Sequence, residues 1–369
     1  MIIDRVEAIP LSIPFKPGNT SDAGAWGDKN LGTVDSLLVK ITTDDGLVGW
    51  GETFGFGVVP AAKLAIERMV APACVGQDAA RIAPLMLDVQ KKLHIFGRSG
   101  PVMYGISAVD MALWDLAGKA ANAPVHRLLG GSRKTHLPCY ASLIRYTDPA
   151  LVRTHVRRAI DAGFRSLKLH EIELPAIRAA REAAGPDIEI TLDVNCPWTL
   201  SEARLQVPAL REFGLRWLEE PIWPPENFEG LAELRRSAGI PIAAGENAST
   251  LVEFDRLMAA GAVDFVQPSP AKMGGITEIA KVFALAAARN VTVMVHTFYD
   301  GPGLLAAIQA SAALGSAEAM VEWRYFDLEA QLYGDALVPV DGHVPVPQGP
   351  GLGLEPDQDV IRTYATRPV

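Results

Sequence analysis

From Leu137 onward the chain repeats one unit, a short apolar run followed by a helical stretch of about a dozen residues. The runs are CYASLI, SLKLH, IEITLDVN, LRWLEEP, PIAAGEN, VDFVQPS, VTVMVHT and AMVEWRY, and helices are expected at 151–162 and 201–213 among others. Eight strand candidates with helices between them are the pattern of a parallel β/α barrel. The fold class is therefore α/β.

A second regularity rides on the first. The runs end on His170, Asp193, Glu219, Glu246, Ser269, His296 and Glu322, at intervals of 23 to 27 residues. One polar or ionisable group thus recurs once per unit, always at the end of a strand. In a parallel barrel those ends meet at a single mouth, where active sites of this architecture are built. In SLKLHEI, Lys168 and His170 share one strand face with period two. The ring makes them part of a common pocket rather than a solvated edge.

The segment before the barrel has a different rhythm. VDSLLVKITTDDGLVGWGE alternates apolar residues around a DDG turn, as a hairpin does. AAKLAIERMVAPACVG and GISAVDMALWDLAGKAANAP follow with helical periodicity, the second closed by Asn122 to Pro124. Strands followed by helices indicate an α+β domain ending near Leu128–Gly131.

Bulk properties narrow the partners. The net charge is −9 with no Lys/Arg run, which argues against nucleic acid. An anionic substrate would be held by local positive charge, not by the overall field. Cys74, Cys139 and Cys196 show no CxxC spacing and suit a reducing compartment. No apolar run is long enough to span a membrane, and Asp4 and Glu7 interrupt the start where a signal peptide would be apolar. A soluble, cytoplasmic protein is expected.

The ring defines a chemistry. Asp193, Glu219 and Glu246 come from consecutive strands, and three carboxylates at one mouth repel unless a cation joins them. Oxygen ligands suit Mg²⁺, with Mn²⁺ as the alternative. No charge partner for the three is evident in the sequence. Lys168 and His170 on the second strand and His296 on the seventh flank the expected ion. A metal beside a base can remove the proton α to a carboxylate, and a second group can donate or accept a proton.

Together these residues resemble the enolase superfamily, in its mandelate racemase/muconate lactonizing enzyme branch. The matching stretches are ALWDLAGK, KLH, LDVN, WLEEP, AGEN, AKMGGIT followed by a His strand, and the closing GPGLGLEPD. The resemblance implies a (β/α)7β modified TIM barrel with an N-terminal α+β capping domain. The expected division is a cap at 1–128, a barrel at 129–325 and a segment at 326–369 that returns to the cap. It implies that Asp193, Glu219 and Glu246 bind Mg²⁺. It gives Lys168 a place at the substrate carboxylate, His170 and His296 the places of bases, and Glu322 the place of an acid that hydrogen-bonds the substrate carboxylate. It also implies a homo-oligomer.

Two positions depart from the branch pattern. The second basic residue of the strand-two pair is His170 where mandelate racemase-like members have Lys. The sixth strand carries Ser269 where those members have Asp and muconate-lactonizing members have Lys. A serine cannot stabilise imidazolium by charge, so His296 is expected to be a weak base unless Asp300 assists. His170 becomes the expected base and His296 the expected acid. In the resembled fold, cap loops select the substrate, which points to NTSDAGAWGDKN around Asp22 and Trp26 and to GETFGFG around Phe54 and Phe56.

The expected activity is dehydration of a hydroxy carboxylate, such as a sugar acid, to a 2-keto-3-deoxy acid. The alternatives are a racemase or epimerase, a cycloisomerase, and a barrel that binds metal and ligand without catalysis.

Overall fold

A computed structural model describes residues 1–16, 32–132 and 134–366. The first layer is an antiparallel sheet built from β1 (Ile3–Lys16), β2 (Thr33–Thr43) and β3 (Val48–Thr53). The β2–β3 turn is the expected DDG hairpin, and Gly46 there adopts φ +85°, which favours a residue without Cβ. Leu37, Val39 and Ile41 alternate onto one face and pack against Ile106, Val109 and Leu113 of the helix Gly100–Ala120. That helix lies very close to the sheet. A Cβ on Gly51 would stand 1.9 Å from the Ala108 carbonyl oxygen, and one on Gly49 2.3 Å from that of Ala112. The glycines of VGWGE are the reason the two layers can touch.

The barrel is formed by β4 (His136–Ser142), β5 (Ser166–Leu169), β6 (Glu189–Asp193), β7 (Leu218–Glu219), β8 (Ile242–Ala244), β9 (Phe265–Val266), β10 (Thr292–Val293) and β11 (Val321–Arg324). All seven lateral pairings from β11 through β4 to β10 are parallel. The seam between β10 and β11 is spanned just above the strands. There the Thr297 N–H donates to the Glu322 carboxylate and its hydroxyl to the Glu322 carbonyl. Tyr140, Trp217, Ala243, Met294 and Met320 fill the interior, while Leu167, Leu192 and Leu218 face the helix layer among a larger apolar set. The helix expected at 151–162 spans Pro149–Asp161, capped by the Asp148 carboxylate on the Ala150 N–H; such a cap contributes roughly 1 kcal/mol.

After the barrel the chain goes back to the first sheet. β12 (Asp327–Leu328) pairs with Phe15 and Lys16 of β1. Leu332 and Ile361 cover the sheet face that carries Leu11, Leu38 and Trp50. Polar groups stitch the two layers together at the long helix: Asp110 accepts from the Thr277 N–H, and the Trp114 indole donates to the Thr277 hydroxyl. Among the described residues no helix is long and apolar enough to cross a membrane.

Candidate active site

Strand register assembles the site. Asp193 and Glu219 are direct partners across β6 and β7, so the two carboxylates stand side by side. Glu322 lies within β11, whereas His170, Glu246, Ser269 and His296 sit one to three residues past the regular ladder. Gly245 permits that bend. It has φ +136°, and a Cβ there would meet the Gln267 backbone nitrogen at 3.0 Å. One oxygen each from Asp193, Glu219 and Glu246 lie within 4.8 Å of one another.

Lys168 is the hub. Its Nζ is 2.7 Å from Glu219 Oε1, 2.9 Å from Asp193 Oδ2 and 3.2 Å from Glu322 Oε1. Burial opposes its charge, but the three carboxylates outweigh burial and hold Lys168 well above the ordinary lysine value. Glu246 is served from the other side, with Lys272 Nζ at 3.2 Å and His296 Nε2 at 2.9 Å. The sequence-based expectation that the three carboxylates lack charge partners is therefore incorrect. A lysine reaches each of them, Lys168 from within the second barrel strand and Lys272 from the loop after the sixth.

The residues nevertheless fit a divalent cation. Asp193 Oδ2 approaches Lys168 without hydrogen-bond geometry and has no hydrogen-bond partner among the described residues. Glu219 and the adjacent Glu220 are both raised above the carboxylate range, first by burial and then, for Glu220, by Glu246 and Asp193. The part of the Glu220 shift that comes from Glu246 and Asp193 reflects carboxylates crowded together. An all-oxygen donor set of this kind matches Mg²⁺ or Mn²⁺ better than a softer ion.

The two histidines are held differently. His170 Nδ1 contacts the Leu143 carbonyl at 2.5 Å. A carbonyl only accepts, so the proton sits on Nδ1 and the neutral ring carries its lone pair on Nε2, 3.5 Å from Asp193 Oδ2. Burial and then the Lys168 charge push His170 down to about 4. His296 has its Nε2 on Glu246, and that carboxylate outweighs burial to raise its value. The two rings are thus shifted in opposite directions.

Ser269 does not serve His296. Its hydroxyl is bonded to the Tyr299 phenol, and His296 Nδ1 has no hydrogen-bond partner among the described residues. The expectation that Asp300 assists His296 also fails: Asp300 is paired with the Arg324 guanidinium. Glu322 lies at the site as a carboxylate held below its ordinary range against burial by Lys168 and His296. It accepts from the Ser142 hydroxyl and the Thr297 N–H, so in this state it has no proton to donate to a substrate.

Phe54, Phe56, His170, Asp193, Asn195, Glu246, His296, Phe298 and Glu322 line a partly open cavity. Phe54 and Phe56 line it from the loop after β3, and Lys272 Nζ stands 4.7 Å from the Phe54 ring centroid. Trp26 and Asp22 lie outside the described residues. Sequence reasoning overlooked Lys272, although it stands in the quoted AKMGGIT stretch. It also overlooked Asn195, which follows Asp193 by one strand period.

Residues 29–130 match the mandelate racemase / muconate lactonizing enzyme N-terminal domain, and residues 151–360 match the enolase C-terminal domain-like family. The chain belongs to the mandelate racemase/muconate lactonizing enzyme family of the enolase superfamily. Its relatives in that family include an arabinonate dehydratase of Saccharolobus solfataricus, 31% identical over 90% of this chain and 91% of the relative. A D-galactarolactone cycloisomerase of Agrobacterium fabrum is 32% identical over 89% of this chain and 90% of the relative. A solved racemase from Streptomyces coelicolor with bound magnesium superposes with TM-score 0.87 at 30% identity, covering 99% of this chain and 100% of that one. Family members with this barrel therefore include both lyases and isomerases.

Proposed function

We propose that the protein dehydrates a sugar acid to a 2-keto-3-deoxy acid, with His170 as base and His296 as acid. The observation that carries the assignment is the opposite anchoring of the two imidazoles, His170 Nδ1 on a carbonyl and His296 Nε2 on a carboxylate. Held by Asp193, Glu219 and Glu246, Mg²⁺ or Mn²⁺ would supply Lewis-acid stabilisation of the charge that develops on the substrate carboxylate. Lys168 stays charged and pairs with that carboxylate. His170 Nε2 takes the α-proton, and the C–H electron pair moves toward the carboxyl group. The Cα–Cβ double bond then forms as the Cβ–O bond breaks, and the hydroxyl leaves as water with the proton from His296. The resulting enol becomes the keto acid by taking a solvent proton at Cβ and losing its O–H proton to solvent. Phe54, Phe56 and Phe298 supply apolar walls to the cavity in which these transfers occur.

The sugar-acid class comes from the names of relatives that act as arabinonate, galactonate and xylonate dehydratases. A second reading, cycloisomerisation of a sugar lactone or anhydro acid, is favoured by the Agrobacterium fabrum relative and by a 3,6-anhydro-alpha-L-galactonate cycloisomerase of Streptomyces coelicolor. It uses the same first proton transfer and differs in the leaving group.

Incubating the enzyme and Mg²⁺ with a panel of aldonic acids, aldaric acids and their lactones in D2O separates these readings. Dehydration yields a keto acid with deuterium at C3. Cycloisomerisation yields a product of unchanged composition. Recovered, epimerised substrate with deuterium at C2 and no keto acid would contradict the dehydratase assignment.

A further inference from the structure

Glu52 lies at the end of β3, in the first sheet, and is 2% exposed. Its Oε2 accepts two backbone N–H groups from the barrel, Gly301 at 3.1 Å and Gly303 at 2.9 Å. Gly301 is the N-cap of the helix Pro302–Leu314 and Gly303 lies in its first turn. A carboxylate there satisfies orphan N–H groups and meets the positive end of the helix. The fit leaves no slack: a Cβ on Gly301 would lie 2.8 Å from Glu52 Oε2, and one on Gly303 3.0 Å.

The five residues before Gly301 are His296, Thr297, Phe298, Tyr299 and Asp300. The residues just after Glu52 hold the same segment a second and third time. Phe54 meets Tyr299 edge-on with centroids 6.4 Å apart, and Phe56 stacks on Phe298 at 6.0 Å. Phe56 takes this place with φ +62°, a conformation that costs a non-glycine residue energy and is retained where surrounding contacts impose it. His170 has its own anchor within the barrel, the Leu143 carbonyl, and meets this segment at the edge of the Phe298 ring, with centroids 6.2 Å apart.

We propose that Glu52 is a positioning residue for the His296 step, fastening the substrate-facing loop 53–58 and the segment 296–303 into one unit. The substrate's outer end, felt by Phe54 and Phe56, then governs loss of the β-hydroxyl more than removal of the α-proton. The inference rests on the roles proposed above for His170 and His296. Those roles and this strut are separable by experiment.

The variants are Glu52→Ala, Glu52→Gln and Gly303→Ala. Glutamine retains an acceptor oxygen, and the added methyl of Gly303→Ala crowds an intact carboxylate. Hydrogen-exchange mass spectrometry on the Mg²⁺-loaded proteins should show faster exchange across 296–303 in Glu52→Ala and Gly303→Ala. Peptides covering 166–172 should be unchanged. With the sugar acid found in the panel, keto-acid formation should fall by roughly tenfold to a hundredfold in those two variants. Deuterium exchange at the α-carbon should stay within about twofold, and Glu52→Gln should recover most of the loss. Unchanged protection across 296–303 overturns the strut, whatever the reaction proves to be. Equal loss of both rates, or no loss of either, overturns the positioning role. If the parent enzyme exchanges no α-proton with any acid, the proposed function fails, and the protection data still decide the strut. Should Glu52→Ala not fold, Gly303→Ala and Glu52→Gln give the same comparison.

Discussion

The Ser269 hydroxyl and the Tyr299 phenol are hydrogen-bonded to each other, and His296 Nδ1 has no hydrogen-bond partner among the described residues. Tyr299 still presents its ring edge-on to His296, with centroids 6.0 Å apart, so the imidazole is held by packing on one side and by Glu246 on the other. Position 269 is therefore the lever on His296.

Ser269→Asp should turn His296 into a base. An anionic acceptor at Nδ1 would fix a proton on that nitrogen and leave the Nε2 lone pair to accept one, the arrangement His170 already has. In a His170→Asn background, which is expected to lack α-proton exchange, adding Ser269→Asp should restore exchange measurable by NMR. The added buried carboxylate should lower stability by roughly 1–3 kcal/mol. Absence of exchange in a folded, metal-binding double variant would refute the argument.

Metal removal should stop turnover and lower the melting temperature together, since a ligand bound only by the folded state stabilises it. Chelation followed by Mg²⁺ titration should restore both. Asp193→Asn, Glu219→Gln and Glu246→Gln should each weaken Mg²⁺ binding by calorimetry, each removing one of the clustered oxygens. Glu229→Gln, at an exposed position, should bind as the parent does. Full activity in the chelated enzyme would remove the metal from the mechanism.

Asp110 should make stability fall with rising pH. Burial pushes its carboxyl up to about 7, against the Thr277 contacts that lower it. The folded state therefore holds this proton more tightly than the unfolded chain, where a value near 4 applies. Its contribution is complete below about pH 4 and is lost as pH rises through about 7. Asp110→Asn should flatten the dependence of unfolding free energy on pH across that window. The parent curve includes other groups, so the difference between parent and variant is the measurement. A difference that grows in the opposite direction would mean that Asp110 is ionised in the folded protein.

The periodic part of this architecture was readable because it is local. Alternation within each run, and one polar residue per unit, follow from strand geometry and from the common direction of parallel strands. His170, Asp193, Glu219, Glu246 and His296 could be placed at one mouth for that reason. Lys168 could be placed there too, but not its partners, because which carboxylates a long flexible side chain reaches depends on depth and rotamer. Lys272 escaped notice since it belongs to a loop and breaks the count by three residues. The link from Glu52 to Gly301 and Gly303 joins positions some 250 apart in sequence; only the docking of two layers creates it. Asp300 illustrates the converse error. It stands four residues from His296, yet its charge is directed to Arg324.

His170 and His296 should separate the two halves of the reaction. His170 carries its proton on Nδ1 toward Leu143 and is neutral at physiological pH, its value lowered to about 4 by burial and Lys168. It can therefore accept the α-proton without first losing one. His296 is shifted the other way, raised by Glu246 against burial, the direction that the proposed part as acid requires. His170→Asn should abolish exchange of the substrate α-proton with deuterated solvent and abolish keto-acid formation with it. His296→Asn should slow keto-acid formation by about 10²–10⁴-fold, the usual contribution of a positioned acid, while substrate recovered from D2O still gains deuterium at C2. Asparagine approximates the size of the ring's near half and preserves a polar group. Folding and Mg²⁺ affinity are measured first, since a collapsed barrel loses exchange for an uninformative reason. If exchange disappears only in the His296 variant, the base lies on the seventh-strand loop. Ser269 would then have to be tolerated beside a working base, and the unequal anchoring of the two imidazoles would not translate into unequal roles.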